Sequence, residues 1–222
     1  MGKDKLRRFA IVEHYPHFIQ PVLGEKCSLL GKWGKDYFKN ENPIVVELGC
    51  GKGEYTVGLA QRNPTINYIG VDIKGARMYI GAKEALELDL KNVAFLRTKV
   101  DFITDSFEKD EVDEIWLTFS DPQRKKPNKR LTAKPFIERY RKILKTGGFI
   151  HLKTDSSILF EYSEEQIKEH KYPHEIISWN IYQDLHLLGS DEERETLQIR
   201  THYETLFTAK GSIIKYAKFR IH

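Results

Sequence analysis

Short apolar runs alternate with longer amphipathic segments along most of this chain. The runs predict strands at 44–48, 68–72, 93–97, 115–119 and 149–153. The segments predict helices at about 54–62, 74–89 and 134–145, and the third of these helices is expected to end at a Gly147-Gly148 turn. Beyond them the pattern predicts a helix near 157–169, a strand near 175–181, a helix near 201–210 and a last strand near 212–221. This alternation is typical of βαβ units in a parallel sheet. We therefore predict an α/β fold with a seven-stranded, mostly parallel sheet and helices on both of its faces.

The residues before 41 show a less regular pattern than the rest. We interpret 1–40 as a partly ordered N-terminal arm before one domain over 41–222, since 222 residues can bury a core without covalent cross-links. Cys27 and Cys50 have no metal-like spacing, which excludes a disulfide scaffold and a Cys-rich zinc site and favours a reducing compartment. No apolar run reaches the ~20 residues of a membrane span, and the charged start is unlike a signal peptide. These features predict a cytoplasmic protein without membrane attachment.

Charge is concentrated in one segment of the chain. Between Arg124 and Lys145 lie ten basic residues and one acid, Glu138, which leaves 26 basic and 31 acidic residues elsewhere. This basic segment therefore carries +9 on a body of −5, although the whole chain is only +4. A basic patch on an acidic body favours a polyanionic partner such as nucleic acid. A solvated loop and helix face would show the same pattern.

A glycine-rich turn joins the first predicted strand to the first helix. Gly49, Gly51 and Gly53 would let the backbone approach a ligand closely, although some such turns only connect a strand to a helix. Their spacing is G-x-G-x-G, not the G-x-G-x-x-G that is typical of dinucleotide sites. Glu47 precedes them, and a carboxylate there would repel a pyrophosphate but suits the amine and sulfonium of S-adenosylmethionine. Lys52, within the turn, is expected to face solvent.

Two aspartates follow other predicted strands at the same edge of the sheet. Asp72 ends the second strand about twenty residues after the glycine turn, where a carboxylate can accept both hydroxyls of an adenosine ribose. Asp121 follows the fourth strand, directly before the basic segment, where it could accept the N1–H and N2–H edge of a guanine while the cations hold phosphates. Each has a simpler explanation, a helix cap for Asp72 and an Asp-Pro turn for Asp121. Ligands bind beyond the carboxyl ends of strands in such sheets, so the positions favour binding roles.

Two further motifs follow later in the chain. The triplet 153–155, Lys-Thr-Asp, ends the fifth strand, and 201–204, Thr-His-Tyr-Glu, opens a late helix. Thr201 is a plausible N-cap with an acid at the third helical position, and capping accounts for this motif by itself. His14 and His17 are three apart with Tyr15-Pro16 between them, which argues against a helical metal pair. We predict no metal site.

Together these motifs resemble the bacterial tRNA (guanine-N7-)-methyltransferases of the TrmB type, within the Rossmann-like class that depends on S-adenosylmethionine. The resemblance covers about 31–221 and is carried by 46–53, 68–72, 119–122, Lys125-Lys126, 129–131, 153–155 and 201–204. The glycine motif is shared across methyltransferases. The Asp-Pro motif with its Lys/Arg tail, the Lys-Thr-Asp and the Thr-x-Tyr-Glu are together specific to this family.

The resemblance implies the strand order 3-2-1-4-5-7-6 with the last strand antiparallel. It implies that S-adenosyl-L-methionine is bound by Glu47, Gly49, Gly51, Gly53, Asp72 and Asp121, with Asp121 also the catalytic residue. It implies substrate contacts at Lys125, Asp155, Thr201, His202, Tyr203 and Glu204. The implied reaction is methyl transfer to N7 of the variable-loop guanosine of tRNA (position 46 by this resemblance), which yields S-adenosyl-L-homocysteine. A monomer or a homodimer is expected.

This sequence departs from the family pattern at three places. Gln123 stands where Asp-Pro is commonly followed by Trp, and the basic loop is about two residues shorter than the common form. Lys99 stands where an acid often contacts the adenine side of the cofactor. Lys99 cannot accept a hydrogen bond, and Asp101, two residues on, is the carboxylate that could replace it.

The chemistry of guanine N7 fits the residues available. N7 has an in-plane lone pair and no proton, so the reaction needs no general base, and none of the His or Cys residues stands out as a nucleophile. Catalysis is then mostly positioning, with Asp121 stabilising the charge that develops on the base. The alternatives are another RNA or DNA base methyltransferase, although Gln123 is not the aromatic that such enzymes place there, and a non-catalytic RNA-binding module, which Lys99 keeps open. A nicotinamide oxidoreductase is opposed by the glycine spacing and by Glu47.

Overall fold

The sheet of this protein has eight strands. The computed structural model describes residues 2–222, with side chains from residue 4 onward. The strands are β1 (Phe18–Ile19), β2 (Ile44–Leu48), β3 (Asn67–Asp72), β4 (Val93–Arg97), β5 (Val112–Thr118), β6 (Leu144–Thr154), β7 (His174–Ser178) and β8 (Lys215–Phe219). Their order is β1-β4-β3-β2-β5-β6-β8-β7. Only β8 is antiparallel to its neighbours.

The predicted order 3-2-1-4-5-7-6 is confirmed when the strands are counted from β2. The predicted count of seven was one too low, because β1 adds an edge strand beside β4. This strand has two residues, too few to show a period in the sequence. Its pairing is fixed by the Phe95 N–H, which donates to the His17 carbonyl at 2.7 Å.

Helices cover both faces of the sheet, as predicted. They are α1 (Gly2–Val12), α2 (Glu54–Arg62), α3 (Gly75–Glu87), α4 (Lys134–Tyr140), α5 (Ser157–Glu169), α6 (Ile181–Asp184), α7 (Asp191–Leu197) and α8 (His202–Thr208), with a π-helical segment at Trp33–Phe38. Successive strand residues point to opposite faces, so Val46 lies in one buried cluster with α4 and α5, and Val45 lies in the other with α2 and α3. Within residues 2–222, every helix is too short or too polar to span a membrane.

Parts of the first forty residues pack into the same core. Trp33 is fully buried, stacks on Phe107, and donates its indole N–H to the Ser106 carbonyl at 2.8 Å. Val12 and Phe18 are buried in the second cluster. Val12, Phe18 and Trp33 are thus part of the core, and the boundary at residue 40 stays a prediction.

The largest boundary error lies between α4 and β6. The helix predicted for 134–145 ends at Tyr140, and Gly147 and Gly148 lie inside β6. The register there jumps from Val112 opposite Leu144 to Glu114 opposite Phe149, so the residues between form a bulge. The sequence pattern also gave no element for 182–200, where α7 and most of α6 lie.

Gly81 sets the distance between α3 and the glycine turn. A Cβ on Gly81 would lie 2.6 Å from the Lys52 carbonyl oxygen and 3.0 Å from the Gly53 Cα, both backbone atoms. Because backbone cannot move aside cheaply, we expect Gly81→Ala to lower the free energy of unfolding by about 1–3 kcal/mol, measured by chemical denaturation. Gly189→Ala is the matched control, since its nearest atom is the Glu193 Oε2 at 3.6 Å. Equal destabilisation by both substitutions would contradict this explanation.

Candidate active site

A cleft of about 730 Å³ opens where β2, β3, β4 and β5 end at the carboxyl edge of the sheet. Residues of α8 and of the loop after β5 complete its walls. The lining residues from the strand ends include Glu47, Gly49, Cys50, Gly51, Lys52, Asp72, Lys99, Asp101, Thr118, Ser120 and Asp121. The volume is in the range of sites for small organic ligands. The strand ends that the sequence predicts to carry the chemistry therefore meet in one place.

Glu47 is a buried carboxylate in the wall of this cleft. It is 3% exposed, and the hydroxyl groups of Thr56 and Thr118 donate hydrogen bonds to its two oxygens. Burial raises the pKa of Glu47 to about 7, although the two hydroxyl donors oppose the rise. Each carboxylate oxygen has two lone pairs, so both can accept a further bond. Above pH 7 the residue is thus placed and charged to hold a cationic group.

Asp72 connects the end of β3 to the glycine turn. Its Oδ2 accepts a hydrogen bond from the Gly51 N–H at 3.0 Å, and its Oδ1 accepts one from the Lys74 N–H at 2.8 Å. The second bond closes a turn directly before α3, so Asp72 has a structural role, although the N-cap of α3 is Lys74 and not Asp72 as the alternative supposed. The carboxylate also lines the cleft and keeps lone pairs for a ribose hydroxyl. The geometry is compatible with both roles at once.

The glycines of the turn fall into two groups. Gly49 and Gly51 line the cleft with φ of 80° and 58°, and a Cβ on Gly51 would meet no atom within 4 Å. The backbone there is open to a ligand. Gly53 lies outside the cleft lining at the N-cap of α2, where a Cβ would come within 2.4 Å of the Phe95 ring. Its position indicates a packing role, and its contact with a cofactor remains a prediction.

Asp121 lies in a strained loop at the end of β5. Phe119 and Gln123, on either side, have φ of 48° and 44°, a left-handed conformation that is costly for residues other than glycine. The Gln123 N–H donates to Asp121 Oδ1 at 2.9 Å, so the turn expected as the simpler explanation exists. The side chain is also exposed and lines the cleft. Strain on both sides of one exposed acid is typical of a functional loop.

Part of the basic segment holds this loop in place. Arg130 is 6% exposed, donates from Nε to the Pro122 carbonyl at 2.9 Å, and lies 4.5 Å from the centre of the Tyr162 ring. Lys129 pairs with the Asp101 carboxylate at 3.2 Å. Among residues 4–222, no acidic partner is found for the exposed cations Arg124, Lys125, Lys126, Lys134, Arg141 and Lys142. These six remain available to a polyanion.

The start of α8 contributes Thr201 and Tyr203 to the cleft. Thr201 caps the helix, as predicted, by accepting a hydrogen bond from the Glu204 N–H at 3.1 Å. Tyr203 is 37% exposed, and the Lys52 Nζ lies 5.9 Å from the centre of its ring. The expectation that Lys52 faces solvent was wrong, because its side chain lies half-buried against the cleft.

Glu204 faces the interior of the protein. Its carboxylate and the Lys153 ammonium are both fully buried and 3.0 Å apart. The Tyr182 hydroxyl donates to the other carboxylate oxygen, and Lys153 also donates to the carbonyls of Leu197 and Ile199 at 2.7 and 3.0 Å. Burial lowers the pKa of Lys153 to about 8, while the adjacent Glu204 opposes the fall. The network joins β6 to the end of α7 and the start of α8, and a substrate contact by Glu204 remains a prediction.

Lys125, Asp155 and His202 lie outside the cleft lining but at the same edge of the sheet. Lys125 is exposed in the loop after β5, and Asp155 follows β6, where its carbonyl accepts a bond from Lys215 at 2.9 Å. The His202 N–H donates to Glu54 Oε2 at 3.0 Å, which ties α8 to α2. A substrate larger than the cleft would reach these positions. Their substrate contacts stay predictions.

Lys99 and Gln123, which mark two of the departures from the family pattern, lie in the cleft wall together with Asp101. Lys99 is exposed there, and its Nζ lies 5.9 Å from the centre of the Phe102 ring. Asp101 also lines the cleft, with its carboxylate shared with Lys129. Gln123 lines it through the turn at Asp121. A carboxylate is therefore present beside Lys99, but it already has a cationic partner.

Sequence reasoning missed three polar residues of the site. Thr56 and Thr118 are the partners of Glu47. Ser120 is 8% exposed, and its Oγ has no hydrogen-bond partner within the described part of the chain. The available signal was position, because the polar residues Thr118 and Ser120 lie at the carboxyl end of the apolar run that begins at Ile115.

Comparison with known proteins assigns the class. A family model described as putative methyltransferase matches residues 41–217. The 16S rRNA methyltransferase KamB superposes with a TM-score of 0.64 at 13% identity, over 90% of this chain and 98% of that one. A SAM-dependent methyltransferase from Aquifex aeolicus gives a TM-score of 0.55 at 12% identity, over 81% and 82%. At these identities the structures support the fold alone, and with the family model they define a Rossmann-like methyltransferase.

Curated relatives identify the family within this class. The tRNA (guanine-N(7)-)-methyltransferase of Bacteroides fragilis is 51% identical over 99% of this chain and 86% of its own length. The tRNA (guanine-N(7)-)-methyltransferase of Christiangramia forsetii is 45% identical over 99% of both chains. The chain belongs to the tRNA (guanine-N(7)-)-methyltransferase family. The resemblance drawn from the motifs is thereby confirmed.

This class uses S-adenosylmethionine, and the residues of the cleft fit that cofactor. Glu47 and Asp72 offer carboxylate lone pairs for an amine and a ribose, and Gly51 leaves the backbone open between them. The Ser120 Oγ is a buried polar atom of the wall that lacks a partner within residues 4–222, which indicates that a ligand atom completes it. Within the same residues, no group of three or more His, Cys, Asp or Glu side chains could hold a metal ion.

Proposed function

We propose that this chain transfers a methyl group from S-adenosyl-L-methionine to N7 of a guanosine in tRNA, and that the guanosine lies in the variable loop. The convergence of Glu47, Asp72 and Asp121 in one cleft beside the basic segment carries the proposal. The names of the relatives from Bacteroides fragilis and Christiangramia forsetii support the same reaction. A cytoplasmic location and a monomeric or homodimeric state stay predictions.

The residues of the cleft divide between the two ligands. Glu47 would bind the amine of the cofactor, Asp72 its ribose, and Gly49 and Gly51 would let it lie against the turn. When bound, S-adenosylmethionine supplies an electrophilic methyl group. Asp121, at the border between the cleft and the basic segment, would face both the cofactor and the guanine.

Positioning and charge account for the catalysis by this chain. N7 of guanine is unprotonated, so no side chain has to remove a proton before methyl transfer. The product guanine carries a positive charge, which the Asp121 carboxylate would stabilise. The strained turn at Phe119 and Gln123 fixes that carboxylate before the substrate arrives, which avoids reorganisation during the reaction.

Product analysis tests the proposal directly. We expect the protein, given methyl-labelled S-adenosylmethionine and an unmodified tRNA transcript, to place the label in 7-methylguanosine after digestion to nucleosides. A transcript with adenosine in place of the variable-loop guanosine should remain unlabelled. Label in a methylated exocyclic amine, or no label, would refute the reaction. Label in 7-methylguanosine from both transcripts would refute only the variable-loop assignment.

A further inference from the structure

A second groove, of about 520 Å³, lies between α1 and the turn that joins β3 to α3. Its lining includes one acid, Asp4, and five cations: Lys5, Arg8, Lys74, Arg77 and Arg97. Asp4 pairs with Arg7 and Arg8, each at 2.9 Å. Among the side chains that the structure describes, the other four cations have no carboxylate within ion-pair distance. This α1 groove is thus strongly cationic, and its charge is mostly uncompensated.

The α1 groove is built on packed elements. Val12 is fully buried in the core and anchors the end of α1. The Arg97 guanidinium lies 4.8 Å from the centre of the Phe9 ring, and its Nη1 donates to Gln20 Oε1 at 3.2 Å. Arg8 lies 5.5 Å from the centre of the Tyr79 ring on α3. These contacts hold two of the five cations in place, so the groove presents an arranged surface.

The α1 groove adjoins the cleft on one side, and the basic segment adjoins the cleft on the other. Ile73, Lys74 and Arg77 line both the groove and the cleft. The strand order places β3 and β4 on one side of β2, and β5, which precedes the basic segment, on the other. The acidic stretch 108–113 leads into the first residues of β5 and so lies at the opposite, amino edge of the sheet. Cations therefore lie on both sides of the cleft at the carboxyl edge of the sheet.

We propose that the α1 groove binds phosphates of the RNA substrate, on the side of the cleft away from the basic segment. This inference rests on the proposed function and names a second contact surface for the same substrate. A strand of RNA across the cleft would place one part of its backbone on each cationic surface, with the target base between them. The cofactor is not the occupant, because its sulfonium and amine outweigh its single carboxylate and leave a net positive charge, which the groove would repel.

The salt dependence of tRNA binding tests this proposal. For the double variant Lys5→Gln with Arg8→Gln, we expect several-fold weaker tRNA binding. The plot of the logarithm of the binding constant against the logarithm of salt concentration should also become less steep, by about 0.7–0.9 for each phosphate that is no longer neutralised. The rate at saturating tRNA and the Kd of S-adenosylmethionine should be unchanged, since neither residue lines the cleft. Binding is measured by fluorescence anisotropy with labelled tRNA, and folding by the thermal midpoint.

Lys91→Gln combined with Lys109→Gln is the matched control. It removes the same charge from exposed lysines that precede β4 and β5, at the amino edge. An equal slope in both double variants would overturn the proposal, as would a changed cofactor Kd with an unchanged slope. The single variant Lys5→Glu, at an exposed residue, should also weaken tRNA binding. It provides a second measurement in case Arg8→Gln destabilises α1. Because anisotropy needs no turnover, the groove can be supported even if no 7-methylguanosine forms.

Discussion

Asp121→Ala should lower turnover on tRNA by about 10²–10³-fold while much of the affinity for S-adenosylmethionine remains. The size is that expected when one preorganised electrostatic group is removed from the position where charge develops. Asp121 Oδ1 is already bound to the Gln123 N–H at 2.9 Å, which leaves Oδ2 free to face a ligand. Single-turnover kinetics with labelled cofactor would measure the rate, and isothermal titration would measure cofactor binding.

Asp121→Asn separates the charge of this side chain from its role in the turn. Asn keeps an oxygen that can accept the Gln123 N–H, and it forms such turns well. If the charge is what matters, the Asn variant should be nearly as slow as the Ala variant and as stable as the wild type. Glu138→Gln, at an exposed acid of α4, is the control for a change of net charge. Wild-type turnover in the Asn variant would leave Asp121 with a structural role only.

The difference between Asp121 and Glu204 shows what the sequence can predict about this site. The carboxyl ends of parallel strands lie at one edge of the sheet, which is why Glu47, Asp72 and Asp121 could be assigned to that edge. Glu204 depends on Lys153, a partner 51 positions away in sequence. The capping motif at Thr201 looks the same whether the acid faces a substrate or the core. Only the packing of α8 against β6 decides this, and it places the carboxylate inside.

The fold, too, could be predicted only where the local sequence pattern decides the structure. The seven strands with a clear hydrophobic period were predicted, and their order followed from the family resemblance. The edge strand β1 was missed because two residues carry no period, and α7 was missed because its sequence, Asp-Glu-Glu-Arg-Glu-Thr-Leu, has few apolar positions. Its end is held by tertiary contacts, with Leu197 buried and its carbonyl bound to Lys153. Elements that depend on such tertiary contacts cannot be predicted from the local pattern of hydrophobic and polar residues.

The buried pair of Lys153 and Glu204 explains how α8 is oriented at the cleft. Two charges without solvent are costly, and they need good geometry and further hydrogen bonds to offset that cost. Here each has several partners, and Lys153 reaches both the end of α7 and the start of α8. Once Glu204 is held inside, Thr201 and Tyr203 are directed to the cleft. An interior ion pair thus positions the residues that meet the ligand.

Glu47→Gln should stabilise the ligand-free protein above pH 7 and weaken cofactor binding by about 10²-fold or more. The pKa of Glu47 is about 7 in the fold against an ordinary value of 4.5, which corresponds to roughly 3 kcal/mol. The folded protein therefore holds this proton more tightly than the unfolded chain does. Between pH 4.5 and 7, a rise in pH ionises this carboxyl in the unfolded chain while the folded protein keeps its proton, so the free energy of unfolding falls. Gln carries no charge and can still bond to both threonine hydroxyls.

The pH dependence of both properties distinguishes this explanation from a simple change in packing. The stability difference between Glu47→Gln and the wild type should approach its maximum above pH 7 and vanish near pH 4.5, measured by urea denaturation. The wild-type affinity for S-adenosylmethionine should rise as pH increases through about 7, because the cationic amine needs the ionised carboxylate. The variant should lack this rise.

Glu84→Gln, at an exposed acid of α3, should change neither profile. If the stability difference is constant with pH, the burial of charge at Glu47 does not cause that difference. The assignment of this carboxylate to the cofactor amine would then lose its electrostatic basis.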